Sequence, residues 1–204
     1  MRKYMCLLMV VFVSVMSTSA FGVLDQSQTA VNSGVNPGST AHFIGQGFTQ
    51  GAGLNYLNSV EVRYYGWEAN GDPDWVSVAE LHVATTGTYD ATSLVATSAA
   101  TTTSSFTYVP ETWVNWDFGS VAVTPGDGYT FIIKHTTGTW GPALSTAAPY
   151  AGGAVVNNNG GGDSYSNVYG QDLAFNTYSS VVPEPATMGL LSLGGLALLR
   201  KRRA

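Results

Sequence analysis

The chain has 204 residues, 45% of them hydrophobic and 10% charged, and a formal net charge of −5. Six of its eight cations lie at the two ends, so the body between Phe21 and Val182 keeps Arg63 and Lys134 against twelve carboxylates, a formal charge of −10. A field of that sign repels phosphate backbones and anionic lipid, which argues against nucleic acid as a partner and against peripheral membrane binding by the body.

Met1 to Gly22 reads as a signal peptide. Arg2 and Lys3 form a charged start, Tyr4 to Met16 is almost wholly apolar, and Ser17-Thr-Ser-Ala20 supplies small residues before a cleavage point. Cleavage after Ala20 or after Gly22 fits equally. The one cysteine, Cys6, falls in this segment, so the exported part is expected to contain none and to draw its stability from a core rather than from disulfides.

Residues 23–180 make one domain of about 160 residues. They are rich in Gly, Ser, Thr, Asn, Val and Tyr, and no window carries a helical stripe. Short alternating runs predict half-buried strands instead: Leu57, Val60, Val62 and Tyr64; Ala79, Leu81 and Val83; Val114, Trp116 and Phe118; Tyr129, Phe131 and Ile133; and Leu173 with Phe175. Turn chemistry separates them at 49–53, 70–74, 86–87 and 125–128. The last of these turns predicts a hairpin that closes onto Trp113–Phe118 as a three-stranded meander. The stretch from Thr136 to Val168, with Asn157-Asn-Asn-Gly-Gly-Gly162, reads as a long loop. Strands at this spacing without helices predict an all-β fold, an antiparallel two-sheet β-sandwich of jelly-roll type.

Few residues of the body suggest chemistry. His42, His82 and His135 have no metal-ligand spacing, there is no Gly-x-Ser-x-Gly elbow, and no pair among the twelve acids stands out for glycoside hydrolysis, so no catalytic residue is assigned. A secreted carbohydrate-active enzyme using a carboxylate pair is the alternative to a non-catalytic role. Asn70, Asp72 and Asp74 alternate in a Gly/Pro loop, where their oxygens would either converge on Ca²⁺ or form an ordinary solvated turn. No other cofactor is expected. Trp67 and Trp75 flank that loop and suit the ends of the core. Trp140 and Tyr150 are the candidate glycan contacts, because an aromatic ring beside polar groups can stack on a sugar face.

The chain ends with Val181 to Ala204, in which Pro183-Glu184-Pro185 precedes an apolar run from Ala186 to Leu199 and a basic cluster, Arg200, Lys201, Arg202 and Arg203. Prolines at 183 and 185 fix the start of a helix and leave Glu184 extended and accessible. As a helix the fourteen apolar residues would reach about 21 Å, against a hydrocarbon core of about 30 Å. This is a short transmembrane helix stopped by cations on the cytoplasmic face, which leaves everything before it exported.

These three parts in this order resemble the PEP-CTERM sorting signal of Gram-negative bacteria, with Pro183, Glu184 and Pro185 as the signature triplet. The resemblance implies recognition by an exosortase after export through the Sec machinery. It also implies transient membrane association through the 186–199 helix and delivery to the cell surface or extracellular matrix. The body is similar to the jelly-roll domains found upstream of such tails, through Gly45-Gln-Gly-Phe48, Trp116-Asp-Phe118, Gly126-Asp-Gly-Tyr-Thr-Phe131, Tyr150-Ala-Gly-Gly153 and Asp172-Leu-Ala-Phe175. Such domains resemble carbohydrate-binding modules in shape, which makes extracellular polysaccharide or other surface proteins the expected partners.

Overall fold

The structure is a computed structural model that describes residues 22–34, 43–68, 74–83, 90–104, 112–138, 140–145, 150–157 and 171–181. Residues Phe21–Ser180 form one folded unit. Its strands are β1 (Val23–Gln28), β2 (Ser33–Gly34), β3 (Ile44–Thr49), β4 (Tyr56–Glu68), β5 (Asp74–Val83), β6 (Leu94–Thr97), β7 (Thr101–Ser104), β8 (Trp113–Ala122), β9 (Gly128–Thr137), β10 (Trp140–Ser145), β11 (Val155–Asn157), β12 (Asp172–Leu173) and β13 (Phe175–Ser180). The fold is all-β.

The strands form two antiparallel sheets. In the seven-stranded sheet β1, β13, β4, β10 and β12 are neighbours in that order, β8 joins β4 and β2 joins β10. The six-stranded sheet runs β11, β3, β9, β5, β6, with β7 also on β5. One core is drawn from both: Leu57, Val60, Val62, Trp116 and Phe175 from the first sheet, and Phe48, Leu81, Phe131 and Ile133 from the second, all fully buried. The indole of Trp116 donates from Nε1 to Ser77 Oγ at 3.1 Å, so the largest fully buried side chain among the described residues keeps its N–H satisfied while joining the sheets.

Four predicted alternations fall on β4, β5, β8 and β9, with their apolar members inward except Val83, which is exposed at the end of β5. The predicted meander does not form. Strand β8 continues through Val121 and Ala122, which pair with Leu57 and Tyr56, whereas β9 pairs with β3 and β5 in the other sheet. The turn at 125–128 therefore carries the chain between sheets. It is closed by Gln50 N–H to Asp127 O and Gly126 N–H to Gln50 O, both 2.9 Å. Gly119 is the reason β8 can run on, because its φ of 75° permits a bulge that a branched residue would resist. Asp117 Oδ1 accepts from Gly119 N–H at 2.7 Å and Asn58 Nδ2 donates to Gly119 O at 3.0 Å, which holds the bulge.

Two further expectations are corrected. The stretch read as a loop contains β10 and β11, and β10 is an interior strand between β4 and β12. Tyr129 to Ile133 of β9 and Asp172 to Thr177 of β12 and β13 are buried on both faces rather than one. Thr130, Ile132, Asp172, Ala174 and Asn176 are buried along with their inward neighbours. For Ile132 the local reason is Gly45, its cross-strand partner, over which the isoleucine side chain leans.

Candidate functional site

Tyr150 is the one predicted glycan contact whose side chain is described. It is half-buried, and its hydroxyl donates to Gln26 Oε1 at 2.6 Å while its ring meets Phe175 edge-on at 5.2 Å. Its backbone N–H donates to Asp172 Oδ2 at 2.6 Å. The ring and hydroxyl are thus engaged within the protein. Phe175 in turn lies 5.8 Å from Phe131, and Phe131 lies 6.3 Å from Phe48, so Tyr150 ends an aromatic row that crosses the core.

Around Tyr150 runs a polar belt. Gln46, buried on β3, donates from Nε2 to Asp172 Oδ1 at 2.9 Å and accepts at Oε1 from Leu173 N–H at 2.9 Å. On β1, Gln26 Nε2 donates to Asp25 Oδ1 at 2.9 Å, and Asp25 Oδ2 accepts from Gly51 N–H and Ser179 Oγ, each at 3.2 Å. Gln50 Nε2 completes the belt by donating to Ser179 Oγ at 3.0 Å. Burial pushes the Asp172 carboxyl above the usual carboxylate range, opposed by its bonds from Gln46 and the Tyr150 N–H, and burial also raises the Tyr150 phenol. The belt ties the β1 and β12 to β13 region of one sheet to β3 of the other, and its groups bond one another except at Gln50 Oε1, which is buried without a partner among the described residues. Gly153 brings the turn after Tyr150 against β3, where a Cβ would strike the carbonyl oxygen of Gly47.

A second cluster lies on the outer face of the six-stranded sheet. Glu80 Oε2 is 2.6 Å from Lys134 Nζ and 3.2 Å from His82 Nε2, and Lys134 stands over the Phe43 ring at 5.9 Å. His82 Nδ1 lies 3.2 Å from Asp90 O. Burial lowers the His82 pKa despite the raising effect of Glu80. His135 faces the core edge-on to Trp75 at 6.5 Å, and burial lowers it to about 4. Neutral, separated imidazoles of this kind are core and strand-face residues rather than a proton-transfer pair.

The remaining predicted positions are quickly placed. Trp140 opens β10 opposite Glu68, and Asp74 opens β5 opposite Ser104. Asn70, Asp72, His42, Pro183 to Pro185, the 186–199 segment and Arg200 to Arg203 lie outside the described residues. Among the described residues no group of three His, Cys, Asp or Glu is placed to hold a metal ion, and no helix is long and apolar enough to cross a membrane.

The sequence reading missed the outer face of the seven-stranded sheet. Trp113, opposite Arg63 on β4, is half-buried and stands apart from the core. Tyr65, two residues beyond Arg63, is 38% exposed. On β13, Tyr178 donates from its hydroxyl to Glu61 Oε2 at 2.9 Å, and Asn176 Nδ2 donates to the same oxygen at 3.4 Å. The signal was available: if Trp116 points inward, period-two alternation turns Trp113 outward.

No curated protein matches the chain. Among solved structures it is similar to the cysteine protease and lectin-like domains of Cwp84, a surface layer associated protein of Clostridium difficile. The TM-score is 0.56 at 13% identity, over 78% of this chain and 36% of that chain. A variant of the same clostridial cysteine protease after propeptide cleavage gives the same TM-score of 0.56 and 13% identity, over 78% of this chain and 40% of that one. This chain thus spans well under half the length of either solved chain, and at this identity the likeness is one of fold alone. The sequence match is at the end of the chain: residues 181–203 fit the PEP-CTERM protein-sorting motif. The chain carries the signal of an exported protein sorted to the cell surface or the extracellular space.

Proposed function

We propose that this is an exosortase-processed protein of the cell surface or extracellular matrix, without catalytic activity, whose jelly-roll-type domain binds extracellular polysaccharide or other surface proteins. The observation that carries the reading is the PEP-CTERM match at residues 181–203, together with the signal-peptide pattern at the other end. The non-catalytic part is supported by the scatter of the histidines and by the absence of cysteine from the body, which leaves no thiolate to act as a nucleophile. The polysaccharide part is supported by the aromatic and amide side chains on the solvent side of the seven-stranded sheet.

Cell fractionation tests the sorting half of the proposal. With Pro183-Glu184-Pro185 replaced by alanines, the protein is retained in the membrane fraction, whereas the wild type leaves it. Normal surface delivery of the alanine variant would overturn exosortase processing.

A further inference from the structure

We propose that the outer face of the seven-stranded sheet, between Tyr65 and Tyr178, is a binding face for a neutral polysaccharide. The inference rests on the reading of the domain as a polysaccharide-binding module and assigns the surface and the class of sugar. Two strands build the face and a third supports it. Strand β4 contributes Glu61, Arg63 and Tyr65, and β8 contributes Trp113 and Asn115 opposite Arg63 and Glu61, while Asn176 of β13, opposite Glu61, is buried and holds the Glu61 carboxylate.

Trp113 is the central observation. Among the described residues it makes no ring contact and its indole N–H no hydrogen bond, it is not part of the core, and it stands half-exposed on a polar face. Tyr65 is its diagonal neighbour, close enough across antiparallel strands for two large rings to border one ligand. The Tyr65 ring lies against the backbone of Gly34, where a Cβ would collide with it, so the ring is held in place with one side open to solvent. A positioned ring costs little entropy to use.

The polar groups beside these rings are similarly prepared. Both bonds to Glu61 fall on Oε2, which leaves Oε1 as an acceptor for a sugar hydroxyl. Ser27 Oγ donates to Asn176 Oδ1 at 2.8 Å, so the buried Asn176 amide is itself fixed and serves to hold Glu61. The Asn115 side chain is exposed, and its amide offers both a donor and an acceptor. Flat rings that cover apolar C–H surface, interleaved with an amide and a carboxylate that bond hydroxyls, are the chemistry of pyranose recognition. Charge selects among polymers. A body of formal charge −10 repels uronic-acid or sulfated chains, and Arg63 alone on this face does not reverse that field.

Affinity electrophoresis of the full exported protein in native gels containing glucomannan, hydroxyethylcellulose, mannan or alginate tests the inference. The expected result is retardation by at least one neutral polymer, insensitive to salt, with affinity about tenfold weaker in Trp113→Ala and in Tyr65→Ala. Unchanged melting temperatures in both variants show that the fold is intact, as expected for side chains outside the core. Equal retardation of wild type and Trp113→Ala, with loss in Trp140→Ala, overturns the face while leaving the polysaccharide reading in place. Absence of retardation by every neutral polymer overturns both the face and the polysaccharide reading, leaving the sorting reading untouched. Retardation by alginate alone, or a dimer that Trp113→Ala converts to monomer, also overturns the inference.

Discussion

Gln46 and Asp172 join the two sheets through a hydrogen bond of 2.9 Å from the Gln46 amide to the Asp172 carboxylate, and both side chains are buried. Because Gln46 Oε1 also accepts from Leu173 N–H, one glutamine side chain satisfies two groups of β12. Removing the carboxylate in Asp172→Ala leaves the Gln46 amide and the Tyr150 N–H without their acceptor. The expected cost is about 2–4 kcal/mol, or a fall in Tm on the order of 5–15 °C for a domain of this size. Asp172→Asn restores only the bond to Gln46, since its second position presents a donor to the Tyr150 N–H, and it should fall between the two. A melting temperature for Asp172→Ala within a degree or so of wild type would mean that the belt contributes nothing.

The belt also explains where sequence patterning stopped being informative. Alternation located β4, β5 and β8 because those strands have one wet face, and the polar residues of Glu61, Glu80 and Asn115 mark it. At Asp172 and Asn176 the same polar signal is misleading, since both are buried and hydrogen-bonded inside the protein. The turn at 125–128 was legible as a turn but not as a crossing, because Pro-Gly-Asp-Gly suits a hairpin and a sheet-to-sheet connection equally. Strand β10 was hidden by its Gly141 and Pro142, which read as breakers, although tertiary pairing with β4 and β12 carries the segment. The tail was readable because its three parts are local and ordered.

Acid should destabilise the domain through His135. Its folded pKa of about 4 lies below the unfolded value of about 6.5, so the folded state binds fewer protons and stability falls as pH drops through that window. His82, shifted in the same direction, adds to the slope. The His135 contribution is full above about pH 6.5 and amounts to at most about 3 kcal/mol. Urea midpoints at about pH 7 and about pH 4.5 should differ less in His135→Phe than in wild type. Parallel pH profiles for the two proteins would contradict this assignment.

Gly153 tests the packing of the Tyr150 turn on β3. A Cβ at this position meets the Gly47 carbonyl, a backbone group that cannot rotate away. Gly153→Ala should lower stability by about 1–3 kcal/mol in a denaturant titration. A neutral or stabilising effect would show that the turn is free to move off β3.

Trp116→Phe separates packing from hydrogen bonding in the core. The smaller ring leaves a cavity and frees Ser77 Oγ from its donor, with an expected cost of about 2 kcal/mol, and Ser77→Ala in the same background should then cost little. A double-mutant cycle with no coupling between the two positions would contradict the inter-sheet bond.

Intact-mass spectrometry of the protein recovered from the cell surface or medium tests the central claim most directly. The account predicts a chain that begins at Phe21 or Val23 and ends at or near Pro183-Glu184-Pro185, without Arg200 to Arg203. A surface-delivered chain that still carries its tail through Ala204 would contradict processing at the sorting motif.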